Sequence, residues 1–387
     1  MLRLFTNALV YAPEPLGEVD VLVAGGRIVR MAPSLPEPPG AYGAERIDCG
    51  GRRLIPGFID AHVHVTGGGG ESGPASRVPA ITLSALTTAG ITSVIGTLGT
   101  DGTTRTVAEL VARTLGLREE GLSAWCYTGS YEVPPLTLTG SVRRDIVYVD
   151  PIIGVGELAI SDHRSSQPTL DELLRVAADC HVGGLMSGKA GVLHLHLGDG
   201  SRGLELVRRA LDGSELPART FHPTHVNRQR RLFDEALDLG ARGVTIDVTA
   251  FPAADLCPEE LSAADAVERA LDAGITVTCS SDGAGCLPVF QDGRVVAMDV
   301  GRPAELASSF RDLLARRPLE AILPVFTSNV ARQMRLHRKG RLAEGQDADL
   351  VLLDDEGRPH DVWALGERLV TAGVATRRGA FEGRESA

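Results

Sequence analysis

The chain has 387 residues, of which 43% are hydrophobic and 23% charged, and its formal net charge is −11. This balance is typical of a globular protein with enough chain for a large core, and an acidic charge without like-charged runs argues against nucleic acid as a partner. We find no export signal, no apolar run of ~18 residues that predicts a membrane span, and no Cys-x-x-Cys spacing, so we expect a cytoplasmic protein with free thiols.

Both ends of the chain are predicted to form short β-strands separated by turns. Neither end has enough alternating strand to bury a face alone, so we expect residues 1–55 and 340–387 to combine in one small β-sandwich domain. The predicted strands cover residues 2–5, 19–23 and 28–30, with a turn at Gly25-Gly26, and residues 348–353 and 362–365.

The central part of the chain, residues 56–339, alternates apolar, β-rich runs with segments of helical periodicity. Eight strands alternating with helices predict an α/β fold, a parallel (β/α)8 TIM-type barrel with its chemistry at the carboxyl ends of the strands. We expect residues 133–148 to form a long loop. The strands are predicted at residues 58–65, 91–98, 124–130, 152–160, 192–197, 220–226, 244–250 and 276–282, and helices at 169–180, 203–211, 231–239, 263–273 and 304–315.

The first barrel strand ends in the pair His62-Val63-His64. Side chains alternate along a strand with a period of two, so both imidazoles point to the same side. Imidazole is a preferred zinc ligand, and a pair at one strand end provides half of a metal site. The glycine-rich stretch 67–70 that follows indicates a strand opening onto a site built from loops.

Four further strand ends carry side chains of the type that binds zinc. The carboxyl ends of barrel strands meet at one face, so we expect these side chains to share a metal site. They are Glu157 on strand four, His194 and His196 on strand five, His222 and His225 on strand six, and Asp282 on strand eight.

With these strand ends the chain resembles the amidohydrolase superfamily, and the resemblance extends over nearly its whole length. The family pattern implies that His62 and His64 bind one metal and that His196 and His225 bind the second. It implies two zinc ions joined by a hydroxide and by an acidic group from strand four. It also places Asp282 among the metal ligands and makes it the general base and acid.

The bridging group departs from a common pattern of that superfamily, in which a carboxylated lysine joins the metals. The chain has two lysines, Lys189 in a glycine-rich turn before strand five and Lys339 beyond the barrel, and neither is suitably placed. Glu157 stands where the lysine would fall and supplies the same negative charge. We therefore expect Glu157 and a hydroxide to bridge two zinc ions.

Two more histidines, His194 and His222, precede the implied ligands by two and three residues. We expect them to support the site or pack against it rather than bind metal. His163 and Asp162, in the turn after strand four, are candidates for orienting the ligands.

Five longer segments resemble the isoaspartyl (β-aspartyl) dipeptidases within that superfamily. This resemblance implies a small dipeptide substrate and hydrolysis of the isopeptide bond that follows its β-aspartyl residue. The segments are residues 67–71, 98–101, 128–131, 160–165 and 223–228.

The same segments supply groups that suit a zwitterionic dipeptide. We expect Glu71 to pair with the free α-amino group and Thr100 to help hold that end. Arg164 and Arg228 offer planar forks that bind carboxylates in bidentate fashion. Tyr131 is expected to donate a hydrogen bond to the developing oxyanion.

A second departure concerns substrate binding. Cys286 stands where the family carries serine. A thiol is a weaker donor and acceptor than a hydroxyl, so we expect a softened substrate contact at this position.

Two alternatives stay open. The first is a related amidohydrolase that acts on a cyclic amide, of the dihydroorotase or hydantoinase type, or on an N-acyl-D-amino acid. The second is a non-catalytic assembly protein on a hydantoinase-like scaffold, against which the complete set of implied ligands argues. The family forms closed assemblies, so we expect a homo-oligomer.

Overall fold

The computed structural model describes residues 1–252, 256–257, 259–291 and 294–383. Its β-strands are, in chain order, β1 (Leu2–Tyr11), β2 (Pro15–Ala24), β3 (Arg27–Ala32), β4 (Glu45–Asp48), β5 (Arg53–Pro56), β6 (Phe58–Val63), β7 (Ile91–Gly96), β8 (Ser123–Thr128), β9 (Ile152–Ile160), β10 (Val192–Leu197), β11 (Phe221–Thr224), β12 (Ile246–Thr249), β13 (Val277–Ser280), β14 (Cys286–Gln291), β15 (Arg294–Val300), β16 (Leu350–Leu353), β17 (Pro359–Ala364), β18 (Glu367–Thr371) and β19 (Val374–Ala375).

The α-helices lie mainly between the strands of the central part of the chain. They are α1 (Leu83–Thr87), α2 (Val107–Glu119), α3 (Val142–Tyr148), α4 (Leu170–Ser187), α5 (Glu205–Asp212), α6 (Arg230–Gly240), α7 (Ala263–Asp272), α8 (Ala304–Leu314), α9 (Leu319–Phe326) and α10 (Ser328–Gln333). Across the described ranges, none of them combines the length and the apolar character that a membrane-spanning helix needs.

The two ends of the chain form one mixed sheet, in the order β19-β18-β17-β16-β5-β1-β2-β3, with β4 beside β1. The connection between the ends is the antiparallel pair β5 and β16, in which Pro56 faces Leu350. Phe5 and Trp363, both buried, meet edge to face at 4.9 Å in its core. The expected joint β structure of the chain ends is confirmed, and its boundaries at residues 55 and 340 stay a prediction.

All eight predicted barrel strands are present as β6 to β13, which confirms the (β/α)8 fold. Strands β6 to β11 form one parallel sheet, and β12 and β13 form a parallel pair. The pair joins β6 where His64 N donates to Gly283 O (2.8 Å), and it joins β11 where Thr224 Oγ1 donates to Asp247 Oδ2 (2.7 Å). Asp60 adds to the first seam, because its Oδ1 accepts from Ser281 N (3.2 Å).

The expected loop at residues 133–148 is a wrong prediction in its second half, which is helix α3. Ser141 caps this helix by accepting a hydrogen bond from Arg144 N (3.4 Å). The buried carboxylate of Asp145 then anchors the preceding loop, because it accepts from the backbone of Leu138 and Thr139 (both 2.8 Å). The helix therefore depends on polar groups at its start, and helical periodicity alone did not indicate it.

The barrel has separate apolar layers outside and inside. Between the strands and the surrounding helices lies the main core, which includes Leu193 and Leu195 of β10. Inside, the amino end is filled by a second cluster, which we call the barrel plug. The barrel plug consists of Ile59, Ala61, Ile95, Tyr127, Ile153, Ala190, Val192, Val330, Ala331, Met334 and Leu336.

Candidate metal centre and active site

The carboxyl face of the barrel gathers the six predicted metal ligands at the ends of five strands. His62 lies on β6 and His64 directly after it, Glu157 lies on β9, and His196 lies on β10. The remaining two, His225 and Asp282, follow β11 and β13 in the left-handed backbone region, with φ of 60° and 52°. All six side chains are buried.

Glu157 stands between two pairs of histidines, and its two oxygens are divided between them. Oε1 lies 3.5 Å from His62 Nε2 and 3.4 Å from His64 Nε2. Oε2 lies 2.9 Å from His196 Nδ1 and 3.4 Å from His225 Nε2. A carboxylate placed in this way can serve both pairs, which is the arrangement expected of a bridging ligand.

Asp282 completes the cluster on the side of the first pair. Its Oδ1 lies 3.4 Å from His62 Nε2 and 3.1 Å from His64 Nε2. Both Asp282 Oδ1 and His62 Nε2 are buried, and neither makes a hydrogen bond of normal geometry to any described residue. Buried polar atoms are rarely left without a partner, so these two atoms, aimed at a shared point, fit a metal ion.

The charges of the cluster also favour a cation. Burial raises the pKa of Glu157, but the facing imidazoles of His62 and His196 outweigh it and hold that pKa well below its usual range. Burial is likewise outweighed at Asp282, whose pKa is held well below its usual range by the facing imidazoles of His62 and His64. Burial lowers the pKa of His225 to about 3. Two ionised carboxylates facing four imidazoles are a ligand set that suits zinc.

The outer nitrogens of the second histidine pair are held by polar partners. His196 Nε2 lies 3.0 Å from Asp162 Oδ2, and His225 Nδ1 lies 2.6 Å from Thr249 Oγ1. Such partners fix the orientation of a metal-binding imidazole. Asp162 therefore has the orienting position expected for it, whereas His163 is 73% exposed at its side chain and faces Asp199 instead.

Three predicted substrate groups meet on one wall above the cluster. Glu71 Oε1 accepts from Thr100 Oγ1 (2.9 Å) and lies 3.3 Å from Arg164 Nη1. Arg164 also pairs with Asp162 (2.8 Å), and it lies over the ring of Tyr131 at 5.4 Å. Glu71 and Arg164 therefore hold each other in place, with about one-fifth of each side chain exposed to the cavity.

Cys286, at the start of β14, lies on the same wall and is half-buried. Burial, together with the nearby carboxylate of Glu71, raises the pKa of Cys286 to about 11. The thiol is therefore protonated near neutral pH. It occupies the cavity lining as an uncharged group.

Tyr131 and Arg228 also line the cavity. Tyr131 OH is 2.8 Å from His196 Nδ1, and burial raises the pKa of this phenol well above its usual value, so it keeps its proton. Arg228 donates to Leu197 O (3.3 Å) and lies over the ring of Phe251 at 5.7 Å. All six predicted substrate-binding residues thus line one space.

This space is a cavity of about 920 Å³. Sequence reasoning missed its apolar lining, which comes from segments whose role a strand pattern does not show. The apolar lining includes Phe251, Pro252, Leu256, Leu287 and Met298.

Both lysines lie away from the cluster, as expected. Lys189 Nζ donates to three backbone carbonyls at the amino end of the barrel, among them Val149 O (2.7 Å). Lys339 is buried and pairs with Asp349 (2.6 Å) beside Ser123. Neither ammonium group reaches Glu157.

A parallel barrel with buried histidines and carboxylates at its carboxyl face defines a class of metal-dependent hydrolases, and the comparison with protein families agrees. Residues 53–375 match the Amidohydrolase family, and the chain belongs to it. It is therefore an amidohydrolase-type enzyme.

Among solved structures, the chain is similar to the β-aspartyl dipeptidase of Fervidobacterium islandicum in complex with β-Asp-Leu. The two are 43% identical, the match covers 97% of this chain and 98% of the other, and the TM-score is 0.90. D-hydantoinase from Thermus sp. is 18% identical, with 98% and 97% covered and a TM-score of 0.69, and shows the fold alone. The curated imidazolonepropionase of Streptomyces coelicolor is 29% identical over 94% of this chain and 93% of its own length.

Proposed function

We propose that this protein hydrolyses the isopeptide bond of β-aspartyl dipeptides with a dinuclear metal centre. The observation that carries the proposal is the pairing of Glu71 with Arg164 directly above the histidine and carboxylate cluster. A single cavity then offers an anion for an α-amino group and a cation for a carboxylate. The 43% identity to a β-aspartyl dipeptidase over nearly the full chain supports the same substrate class.

In this proposal two zinc ions are held by the six candidate ligands. His62 and His64 hold one ion, His196 and His225 hold the other, and Glu157 is shared. Asp282 joins the first pair of histidines. When bound at these residues, the metals would provide a hydroxide nucleophile at neutral pH and polarisation of the scissile carbonyl.

Substrate binding is assigned to the charged wall. The ammonium group of the β-aspartyl residue takes the place of the Arg164 contact on Glu71, and Thr100 keeps that carboxylate oriented through its 2.9 Å hydrogen bond. The released Arg164 fork then binds the α-carboxylate of the same residue. Arg228 binds the carboxylate of the second residue, whose side chain meets the apolar lining.

Proton transfer is assigned to Asp282. Its Oδ1 lies at the cluster, where it takes a proton from the attacking water and returns it to the leaving amine. Tyr131 supplies a hydrogen bond to the developing oxyanion. With one His196 nitrogen on a metal and the other donating to Asp162, that ring would no longer accept from Tyr131, and the hydroxyl would be free for the substrate.

Assay of the purified, zinc-loaded protein with β-Asp-Leu tests the proposal. N-succinyl-leucine is the matched control, because it is the same molecule without the α-amino group that Glu71 would bind. α-Asp-Leu, dihydroorotate and N-acetyl-D-leucine test the alternative bonds. We expect rapid cleavage of β-Asp-Leu, slow cleavage of N-succinyl-leucine and no turnover of the others.

Preferential turnover of dihydroorotate or of N-acetyl-D-leucine would contradict the proposal and favour the cyclic-amide or N-acyl alternative. Equal rates for β-Asp-Leu and N-succinyl-leucine would contradict the assignment of Glu71. Assembly as a homo-oligomer and a cytoplasmic location stay predictions.

A further inference from the structure

A continuous series of polar contacts leads from the candidate metal centre into the barrel. His62 Nδ1, on the side of the ring away from the cluster, lies 2.8 Å from His194 Nε2. His194 Nδ1 lies 2.9 Å from His222 Nδ1. The other nitrogen of His222 lies 3.1 Å from Thr278 Oγ1, which lies 2.5 Å from Asp247 Oδ1. We call these four residues beyond His62 the polar relay.

The polar relay is shielded from solvent throughout. Its members sit on β10, β11, β12 and β13, and each has an exposed fraction of 0%. Tyr127 stacks on the His194 ring at 4.9 Å, with 19° between the planes. In such surroundings every polar hydrogen needs an acceptor, because water cannot replace a missing partner.

The hydrogen bonds of the polar relay have a definite direction when His62 binds metal through Nε2. The lone pair of Nε2 is then used, so Nδ1 carries the hydrogen and donates to His194 Nε2. A neutral His194 with an accepting Nε2 has its hydrogen on Nδ1 and donates to His222 Nδ1. His222 then donates from Nε2 to Thr278, whose hydroxyl donates to Asp247. Each contact has one donor and one acceptor.

The opposite direction is disfavoured at the far end of the polar relay. It would require Thr278 Oγ1 to donate to His222, which leaves two oxygen acceptors 2.5 Å apart at Asp247. Asp247 Oδ1 has no substitute among the neighbouring hydroxyls, because Thr224 and Ser280 both donate to Oδ2 (2.7 and 2.6 Å). Burial lowers the pKa of His222 to about 4, so this ring is neutral and has one donor and one acceptor nitrogen.

We propose that Asp247, Thr278, His222 and His194 are positioning residues that hold His62 in the tautomer with a free Nε2 lone pair. Asp247 fixes the direction, and the three residues between transmit it to His62. The hydrogen on Nδ1 of the ligand ring is thereby kept in place, and Nε2 is the nitrogen left for the metal. This inference rests on the metal centre of the proposed function, but not on the identity of the substrate.

Nitrogen-15 NMR of histidine-labelled protein reads the tautomers directly, with His194→Gln and His222→Gln used for assignment. We expect the Nδ1–H tautomer at His194 and the Nε2–H tautomer at His222, in metal-free and zinc-loaded protein alike. The reversed tautomers in the metal-free protein would overturn the proposal, because there no metal fixes the direction of the polar relay.

Substitution of Thr278 tests the transmission. Thr278→Val keeps the shape but removes the hydroxyl, and Thr278→Ser restores it. We expect the Val variant to bind zinc ~10–100-fold more weakly, as is usual when a partner of a metal-binding histidine is lost, and the Ser variant to recover the affinity. The matched control is Thr92→Val on β7, where a buried hydroxyl has no described hydrogen-bond partner.

Zinc affinity in Thr278→Val equal to that of Thr92→Val would overturn the role of the hydroxyl. If the Val variant does not fold, the proposal is still tested by the tautomers of the unmodified protein and by the zinc affinity of the Ser variant. The expected tautomers without β-Asp-Leu cleavage would support the polar relay and contradict the proposed substrate. Reversed tautomers together with normal β-Asp-Leu cleavage would contradict the polar relay and support the proposed substrate.

Discussion

The two ends of the barrel interior are equally buried but chemically opposite. At the amino end, the barrel plug is almost wholly apolar, and Ile95 and Val192 have exposed fractions of 0%. At the carboxyl end, the same strands bury imidazoles and carboxylates. Strand β10 shows the change along a single face, because Val192 belongs to the barrel plug, His194 to the polar relay and His196 to the metal cluster.

This difference teaches that residues that stabilise the barrel and residues suited to chemistry lie only a few positions apart on the same strands. An apolar side chain in the plug stabilises by burial and close packing. A polar side chain at the other end is retained in spite of its desolvation, and only a full set of partners makes it tolerable. Substitutions at the two ends should therefore differ in kind, and four experiments test this comparison.

Asp282→Asn should have the largest effect, on activity rather than on the stability of the fold. The amide cannot take up and return a proton, so we expect kcat for β-Asp-Leu to fall by ~10²–10⁴-fold, or about 3–5 kcal/mol in the activation free energy. Steady-state kinetics and metal analysis of the variant measure this. A kcat within tenfold of the unmodified enzyme, with both metals bound, would refute the assignment.

Ile95→Ala, in the barrel plug, should have the next largest effect. It should lower the stability of the fold and leave catalysis unchanged. Truncation of a fully buried isoleucine leaves a cavity, so we expect the free energy of unfolding to fall by about 2–4 kcal/mol. The kcat of the folded variant should be unchanged. Denaturant unfolding and kinetics on one preparation measure both. A kcat that falls together with the free energy of unfolding would contradict the claim that the barrel plug affects stability and not catalysis.

Glu71→Gln should have an intermediate effect on kcat/KM, and only for substrates that carry the α-amino group. A hydrogen bond to an ionised group contributes about 1.5–3 kcal/mol, so kcat/KM for β-Asp-Leu should fall by roughly 10–100-fold. For N-succinyl-leucine it should hardly change, because that molecule lacks the amino group. Glu109→Gln, exposed on α2, is the control with the same change of charge. Equal losses on both substrates would argue for a structural role of Glu71.

Cys286→Ser should have the smallest effect. A hydroxyl is a better hydrogen-bond partner than a thiol, and we expect a gain of about 0.5 kcal/mol in substrate binding, or roughly twofold in KM. Cys257→Ser, at an exposed thiol of the cavity lining, is the control. A KM that rises in Cys286→Ser would show that the enzyme has adapted to the thiol.

The strands were predictable because each leaves a strong local pattern. The bounds of β9 and β10 agree with the prediction, since both strands are mainly apolar and their few polar residues lie at the site. Several helices left weaker signals, whatever their length. Helix α2, for example, follows the cap Thr106, whose side chain accepts from Glu109 N (3.1 Å), a local cue that helical periodicity does not contain.

The six candidate ligands could be selected from the sequence because strand ends converge whatever the detailed packing. The polar relay could not, since it depends on which strands are neighbours and on their register: His194 pairs with His222 across β10 and β11. One signal was available. Asp247 is a carboxylate within the apolar run 244–250, where an unpaired charge would be costly.

As the proposed bridge, Glu157 has one more consequence, for how the centre is assembled. A carboxylated lysine exists only while carbon dioxide is bound, so a centre built on it depends on dissolved bicarbonate. A glutamate carries its charge from the moment of synthesis. Metal-free protein refilled with zinc in degassed, bicarbonate-free buffer should therefore regain its full activity, independently of the gas phase above it.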